Sequence, residues 1–598
     1  MKNTGTGALK GKSLYIVKMG GKSTKAPAVV AAIDFGTTYT GYAFKFASDD
    51  TIYSTFNRTE CRVPTCVLLR PDKTLRAFGK DAVDEYETIL STEEQKSYFY
   101  FRHFKMLLYK TGSKNVKDTI SDIRGKYMDA LEVFTIVLAH MKRQILQDIK
   151  TRKYVDKPIP DQEVRWIITV PAIWSDFSRN FMRQASEGAG FIPENTRLVL
   201  EPEAASAFVK SKKLAIKGNA CARLEKGHRY IIADLGGGTI DICAHEIIDE
   251  GRVIELCRPC GDYGGGTVID QEFLNFLVKL FGGEVVEMFK TKHRLKFFDL
   301  LQEFENKKCT FSNTTQKVII DLRGLFQLYQ DKEKENPFEM LERSLYGNRV
   351  HLHENKNHLY LFNETMKEFF EKSRSAIIKN MKDSVEECRK QGKPIQSILL
   401  AGGLSESPYI QECIRQEFEG ELQVICADEG RLSVVKGAVI LGCTPRGHIT
   451  RKAPYTYGCY QIRPFDSTKH DQSLCITHNN VKQCDKLFCK LIEKGQTMHH
   501  NESFAVEGEI TIRDEDLKTK IRHMSLWRSP LTDPKYCLPD EKNQAHLVAK
   551  IDIEPPEGGW QSTLEHVQRL IVDDNEFVIK FMNKNNRMEF KTTVTYVN

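Results

Sequence analysis

Apolar residues follow three different rhythms along this chain. Ala28–Ile33 is an unbroken apolar run leading into Asp34, and Arg229-Tyr230-Ile231-Ile232-Ala233 is a second leading into Asp234. Short apolar runs bounded by turn residues read as buried strands. Leu300–Phe311 carries apolar residues at helical spacing. Residues 325–395 read as helices with charged faces, Asn363–Lys390 among them, interrupted by a polar break at Asp331–Asn336. After about residue 445 the rhythm becomes an alternation, over Tyr455–Ile462, Phe504–Ile512, His546–Ile553, Glu576–Phe581 and Met588–Val597. Polar and Pro/Gly stretches such as Pro555–Gly559 separate these segments. Period-two alternation between turn residues predicts antiparallel β structure, and about 150 residues suit one β domain. No apolar run approaches the ~18 residues needed to span a bilayer; Val434–Gly442 is short and broken by Lys436.

Composition changes this picture little. At 598 residues with 41% hydrophobic and 28% charged residues, the chain reads as a multidomain globular protein. The net charge of +7 is concentrated at one end: residues 1–27 hold six lysines (Lys2, Lys10, Lys12, Lys18, Lys22, Lys25) and no acid, which leaves the remainder near +1. The arm reads as a disordered Lys/Gly-rich extension, and the body is no nucleic-acid binder. No apolar core with a small-residue cleavage site marks a secretory leader. The 16 cysteines are irregularly spaced, many of them inside apolar stretches, as reduced thiols of a cytoplasmic protein are; nuclear access stays open. Cys257-Arg-Pro-Cys260 is a lone pair without a second at zinc-site spacing.

Phosphate chemistry has false and real candidates. Gly11-Lys12-Ser13 and Gly21-Lys22-Ser23 lack the glycine five positions earlier that a Walker loop requires, Thr6 and Ile16 standing there instead. After Asp34, by contrast, Gly36-Thr37-Thr38 and then Gly41-Tyr42-Ala43-Phe44 read as tight turn and returning strand. Consecutive backbone N–H groups in such a turn form an anion-binding concavity, to which the Thr37 and Thr38 hydroxyls add donors. Asp34 can hold Mg²⁺ through water, because this ion keeps most of its hydration shell. The same unit returns two hundred positions later: Asp234, Gly236-Gly237-Gly238-Thr239, then Ile240-Asp241-Ile242. Two such hairpins, one per half, suggest two lobes closing on one polyphosphate.

These residues resemble the nucleotide-binding domain of the heat shock 70 kDa family, within the actin-like ATPase superfamily. Five blocks occur in the family's order: Ala32–Tyr39; Ile168–Trp174 with Ser178-Arg179 and then Glu201–Ala207; Asp234–Asp241; Gly261–Gly266; and Ile398–Pro408 followed by Val435–Ala438. The departures are similar to those of the divergent heat shock 70 kDa protein 12 branch. The resemblance implies an α/β, two-lobed actin-like (ribonuclease-H-like) fold over 28–445, each lobe built on a mixed five-stranded sheet, with a nucleotide cleft between them. Lobe I would span about 28–225 and lobe II about 226–425, with a return to lobe I up to 445. A smaller β-rich, degenerate substrate-binding-like domain over 446–598 would follow.

The resemblance also implies ATP/ADP and Mg²⁺ as ligands, and roles for residues. Asp34, Glu201 and Asp234 match acidic residues that organise Mg²⁺ through water. Thr38 and Thr239 match hydroxyls on the γ-phosphate and the attacking water, and Lys105 stands where the family has its catalytic lysine. Gly36, Thr37, Thr38, Tyr39, Gly236, Gly237, Gly238, Gly265, Gly266, Gly402, Gly403 and Leu404 fall in the nucleotide-binding blocks. Glu305, Lys308 and Ser312 stand at i, i+3 and i+7 and match residues that hold ribose and adenine. Where relatives stack an arginine on adenine this chain has Cys309, which removes a cation–π contact. Leu404 and Glu406 replace a serine and an arginine.

In relatives the C-terminal β domain binds peptides beneath a helical lid. Here no lid is expected, the acidic linker is replaced by the basic Thr444–Lys452, and the acidic tail is absent, so coupling of ATP to peptide release is not supported. The leading expectation is a slow Mg²⁺-dependent ATPase, monomer favoured, whose β domain binds protein clients or regulatory proteins. Its rivals are a nucleotide-regulated scaffold with negligible hydrolysis and, more remotely, a small-molecule kinase of the same superfamily.

Overall fold

The computed structural model describes residues 26–54, 62–89, 92–110, 119–152, 159–211, 224–249, 252–353, 358–427, 429–478, 480–511, 518–573, 576–590 and 592–596. The Lys-rich arm lies outside these. The described residues fall into two compact units, one up to Pro445 and one from Arg446 onward.

In the first unit the repeat seen in the sequence is a repeat of sheets. Val29–Phe35 is antiparallel to Tyr39–Phe46 and parallel to Val164–Val170, which in turn is parallel to Thr196–Leu200. Val63–Pro64 closes this five-stranded sheet at its other edge. In the second lobe Arg229–Leu235 is antiparallel to Ile240–Ile247 and parallel to Ser397–Ala401, itself parallel to Gln423–Cys426; Val253–Glu255 and Cys260–Asp262 pair along Ile240–Ile247. Central strands covered on both faces must be apolar throughout, and apart from a half-buried Asp34 and Arg229, both hairpin-forming strands are buried along their whole length.

Two helices pack between the two large sheets of this unit. Glu201–Ser211 buries its first nine residues, and Gly430–Cys443 lies directly on it. The close approach is made at Gly437, where a Cβ would fall 1.7 Å from the carbonyl oxygen of Ala204. Smaller outer pieces sit on each lobe. On the first, Cys66–Leu69 lies between Leu75–Phe78 and Phe99–Arg102. On the second, Lys317–Asp321, His358–Phe362 and Val350–Leu352 form a sheet amid Arg294–Thr310, Arg323–Glu333, Pro337–Arg343 and the 28-residue helix Asn363–Lys390. The strands at 350–362 correct the expectation of helices throughout 325–395. Val350, Leu352, Leu359 and Leu361 alternate inward, but the run is too short and too histidine-rich to stand out from its helical neighbours. The polar break holds at Lys334, whose φ of 57° ends the helix Arg323–Glu333.

The second unit is antiparallel β. A six-stranded sheet runs in the order Cys475–His478, Val481–Ile492, Thr456–Pro464, Arg522–Ser529, His546–Ile553, Thr592–Tyr596. A three-stranded sheet orders Ser503–Thr511, Thr563–Asp573 and Glu576–Asn583. Leu526, Ile551, Phe504, Leu570 and Phe581 share one core. Truncating Leu526 to Ala removes a fully buried side chain from it, a change that costs about 2–5 kcal/mol in well-packed cores. A urea titration of the full chain should show the transition of this unit shifted to lower denaturant. Among the described residues of this unit the helical element is the short turn Gln472–Leu474. Among the described residues of the whole chain no helix is long and apolar enough to cross a membrane.

Candidate active site

The cleft of the first unit encloses about 810 Å³, within the range of small-molecule sites. Its floor is the two hairpin turns. Asp34 and Asp234 end the corresponding strands of the two lobes, opposite Gly41 and Asp241 in register. In the first turn a Cβ at Gly36 would fall 2.2 Å from the Tyr39 carbonyl oxygen, so only glycine fits. Thr65 locks this turn: its hydroxyl donates to the Gly36 carbonyl at 2.8 Å and lies 2.9 Å from that of Thr40. The second turn faces the first at contact distance. A Cβ at Gly237 would meet the Thr38 hydroxyl at 2.1 Å, and one at Gly238 the Thr37 hydroxyl at 2.7 Å.

Asp34, Glu201, Asp234 and Asp241 are crowded here around one ammonium group. Lys105, 3% exposed, donates from Nζ to Glu201 Oε1 at 2.7 Å and lies 5.1 Å from the Trp174 ring centroid. It sits in the tight turn after Phe99–Arg102, where His103 has a φ of 52°, not on a helix. Glu201 opens the helix Glu201–Ser211, where the helix dipole favours a negative charge. Burial and then the charge of Glu201 push the Asp34 carboxyl up to about 6, although Thr169 donates to it at 3.0 Å. Burial, then Glu201, Asp241 and Asp34, push Asp234 well above the carboxylate range, and burial with Glu201 pushes Asp241 up to about 7. So many carboxylates with one lysine make a donor set suited to a hard cation. Among the described residues no three His, Cys, Asp or Glu side chains stand close enough to grip a metal ion directly.

A carboxylate with a raised folded-state pKa binds more protons folded than unfolded, so its contribution to stability falls as pH rises through that interval. For Asp34 the interval runs from about 4 to about 6. Relative to Asp34→Asn, the ligand-free protein should therefore lose thermal stability between these pH values. A difference that grows in the other direction would show that the carboxyl is not crowded.

The remaining predicted residues divide. Gly266 lines the cleft, and the first N–H groups of the helix Gly266–Phe281 are committed to the other hairpin: Gly266 donates to Gly236 O at 3.1 Å and Thr267 to Gly237 O at 2.8 Å. Gly265 lies behind the turn, not on the cleft; a Cβ there would strike the Gly236 carbonyl at 2.6 Å, so its glycine is required for packing. Gly402 has a φ of 82°, and a Cβ there would lie 2.2 Å from Asp234 Oδ1. Gly403 lines the cleft beside it, and Leu404 is 7% exposed.

At the far end Glu305, Lys308 and Cys309 project from Arg294–Thr310. Lys308 is buried and its charge is matched by Asp270, at 2.7 Å, and Glu305. Ser312 is not with them, which corrects the one-face reading. The helix ends at Thr310, the buried Phe311 turns the chain extended, and the Ser312 hydroxyl meets Thr314 and Thr315 at 3.0 and 3.1 Å. The sequence reading did not single out Asp270, Arg62 or Arg431 as site residues, though all three line the cleft. Arg431 holds Glu406, with Nε–Oε2 at 2.5 Å and its backbone N–H donating to Oε1 at 2.9 Å. Arg62 precedes a two-residue edge strand, where no periodicity marks it.

The cysteine pair plays no part in this site: Cys257 is buried beside Cys388, and Cys260 Sγ lies 3.1 Å from Ser384 Oγ.

Residues 93–452 match the family model described as Hsp70 protein. Heat shock 70 kDa protein 12A of Homo sapiens is 29% identical over 528 residues, covering 79% of this chain and 77% of that protein. The same protein of Mus musculus matches equally, and heat shock 70 kDa protein 12B of Homo sapiens is 28% identical over 531 residues, covering 79% and 76%.

Proposed function

The chain belongs to the Hsp70 family, and on that premise we propose that it binds Mg²⁺-ATP in the cleft and hydrolyses it slowly to ADP and phosphate. The observation that carries this reading is the convergence of Asp34, Glu201, Asp234 and Lys105 beneath two facing glycine turns.

Phosphoryl transfer is catalysed mainly by positioning and charge stabilisation. The turns at Gly36–Thr38 and Gly236–Thr239 supply backbone N–H groups and hydroxyls to the phosphate chain. Asp34, Asp234 and Glu201 would hold the hydrated cation, which would supply positive charge beside the phosphate oxygens. Lys105, oriented by Glu201, adds a positive charge and a donor near the transferred group. Thr239 supplies a hydroxyl that orients the attacking water. Glu305 and Lys308 form the ribose end of the site. Nucleotide state would bias closure of the two lobes, and the β unit would bind protein clients or a regulatory protein. We place the protein in the cytoplasm on the spacing of its cysteines.

A second reading, a nucleotide-regulated scaffold with negligible turnover, is favoured by the base end, where Lys308 is already matched by two carboxylates and Cys309 replaces a stacking cation. Nucleotide titration together with single-turnover hydrolysis separates the two. Binding with release of phosphate supports the ATPase, binding without it supports the scaffold, and no binding overturns both.

A further inference from the structure

We propose that Arg62 is a nucleotide contact, its guanidinium binding a non-transferred phosphate from the lobe I side of the cleft, opposite the Gly402–Gly403 loop. The inference rests on the nucleotide reading above and adds to it a residue outside the motif blocks.

Arg62 reaches the cleft through its side chain. The strand that follows it pairs Pro64 with Tyr39 and Val63 with Thr40, a register that continues to set Arg62 level with Gly41, on the same face of the strand as Tyr39. Its guanidinium stacks over the Tyr39 ring at 4.3 Å from the centroid. Gly403 lies against the same guanidinium: a Cβ there would come within 3.2 Å of Arg62 Nη1, so the glycine leaves room for it at the cleft wall.

Charge supports the assignment. Three other cations of the cleft are already neutralised, Lys105 by Glu201, Lys308 by Asp270 and Glu305, and Arg431 by Glu406, while Arg102 lies over the Phe298 ring, 5.0 Å from its centroid and away from Tyr39. Among the described residues Arg62 has no carboxylate within ion-pair distance. The nearby Arg431 guanidinium works against its charge, and burial does so more strongly. Asp34 and Glu406 lie near enough to favour its charge but do not pair with it. An arginine stays protonated under such conditions, so the cavity holds a half-buried positive charge without a counter-ion. Stacking on Tyr39 fixes the plane of the fork while leaving its edge donors available, the geometry that suits phosphate oxygens. Its place on the cleft wall, against the Tyr39 ring and Gly403 and apart from the Lys105–Glu201 pair, matches a phosphate near the sugar better than the one transferred.

The test is calorimetric titration of the full chain, wild type, Arg62→Ala and Arg62→Gln, with adenosine, AMP and ADP in the presence of Mg²⁺. Charge-assisted hydrogen bonds of this kind correspond to roughly 10- to 100-fold in affinity. Both variants should weaken ADP by that factor while leaving adenosine within about twofold. A comparable loss for AMP would assign the contact to the first phosphate, and a loss confined to ADP to the second. Either supports the proposal. Arg62→Gln keeps a planar, hydrogen-bonding side chain over Tyr39, so it reports even if Arg62→Ala disturbs the turn. ADP binding unchanged in both variants would overturn the proposal, as would an equal loss of adenosine and ADP, which would mean that Arg62 acts only by propping Tyr39. Wild-type protein that binds none of the three would instead remove the nucleotide reading, and this inference with it.

Discussion

Asp234→Asn should lower single-turnover ATP hydrolysis by at least ~100-fold, the usual loss on removing one preorganised electrostatic group from a transition state. The side chain keeps its shape, and the site around it leaves little room to rearrange, since Gly402 and the end of its own strand close upon it. Asp34, Glu201 and Asp241 all disfavour a negative charge at this position, so the neutral amide also relieves repulsion in the ligand-free protein. The variant should therefore melt at a higher temperature than wild type at neutral pH while turning over less, a trade of activity for stability common where charges are gathered for chemistry. Scanning calorimetry alongside the turnover assay reads both. Undiminished hydrolysis would overturn the assignment of Asp234, and an unchanged melting point would show that the repulsion is relieved by water.

Gly437→Ala should be strongly destabilising, although helix propensity alone favours alanine over glycine by about 1 kcal/mol in a helix interior. The added methyl would lie 1.7 Å from the Ala204 carbonyl oxygen and 2.4 Å from its carbon, both backbone atoms that no rotamer change can move. The two helices must separate, and overpacking of this kind typically costs about 1–3 kcal/mol; with a backbone clash at the upper end of that range and the propensity gain set against it, a net loss of up to about 2 kcal/mol is expected. Because Glu201 occupies the first turn of the displaced helix, affinity for Mg²⁺-nucleotide should fall with stability. Urea denaturation with and without Mg²⁺-ADP measures the two effects. A raised midpoint would mean that propensity wins and the helices part freely.

The features legible in the sequence were those in which chemistry and periodicity coincide. Asp34 and Asp234 each end an apolar run before a glycine turn, and the fold sets the two hairpins into corresponding places in two similar sheets. His546–Ile553 is a strand with the bounds its alternation predicts, whereas the 12-residue strand Val481–Ile492 went unread: three lysines and two cysteines break its pattern because much of it is only partly covered. Ser312 looked like a helix-face residue because spacing carries no sign that Phe311 will bury itself and end the helix. Arg62 was invisible for the opposite reason. Its position depends on the pairing of Pro64 with Tyr39, a contact across the fold that no local window contains.

The contact between Thr37-Thr38 and Gly237-Gly238 has a mechanical consequence. A touching pair at the bottom of a cleft is a fulcrum. Were one lobe to rotate about it, each wall would move in proportion to its distance from the pivot, so a tilt that scarcely changed the spacing of the two turns would carry Cys309 much farther from Arg62. On such a lever the far end of the cleft would open first, while the turns near the axis stayed almost in place. The two adjacent glycines are what let the bearing surfaces meet, and a side chain on either would act as a wedge at the point where the arm is shortest.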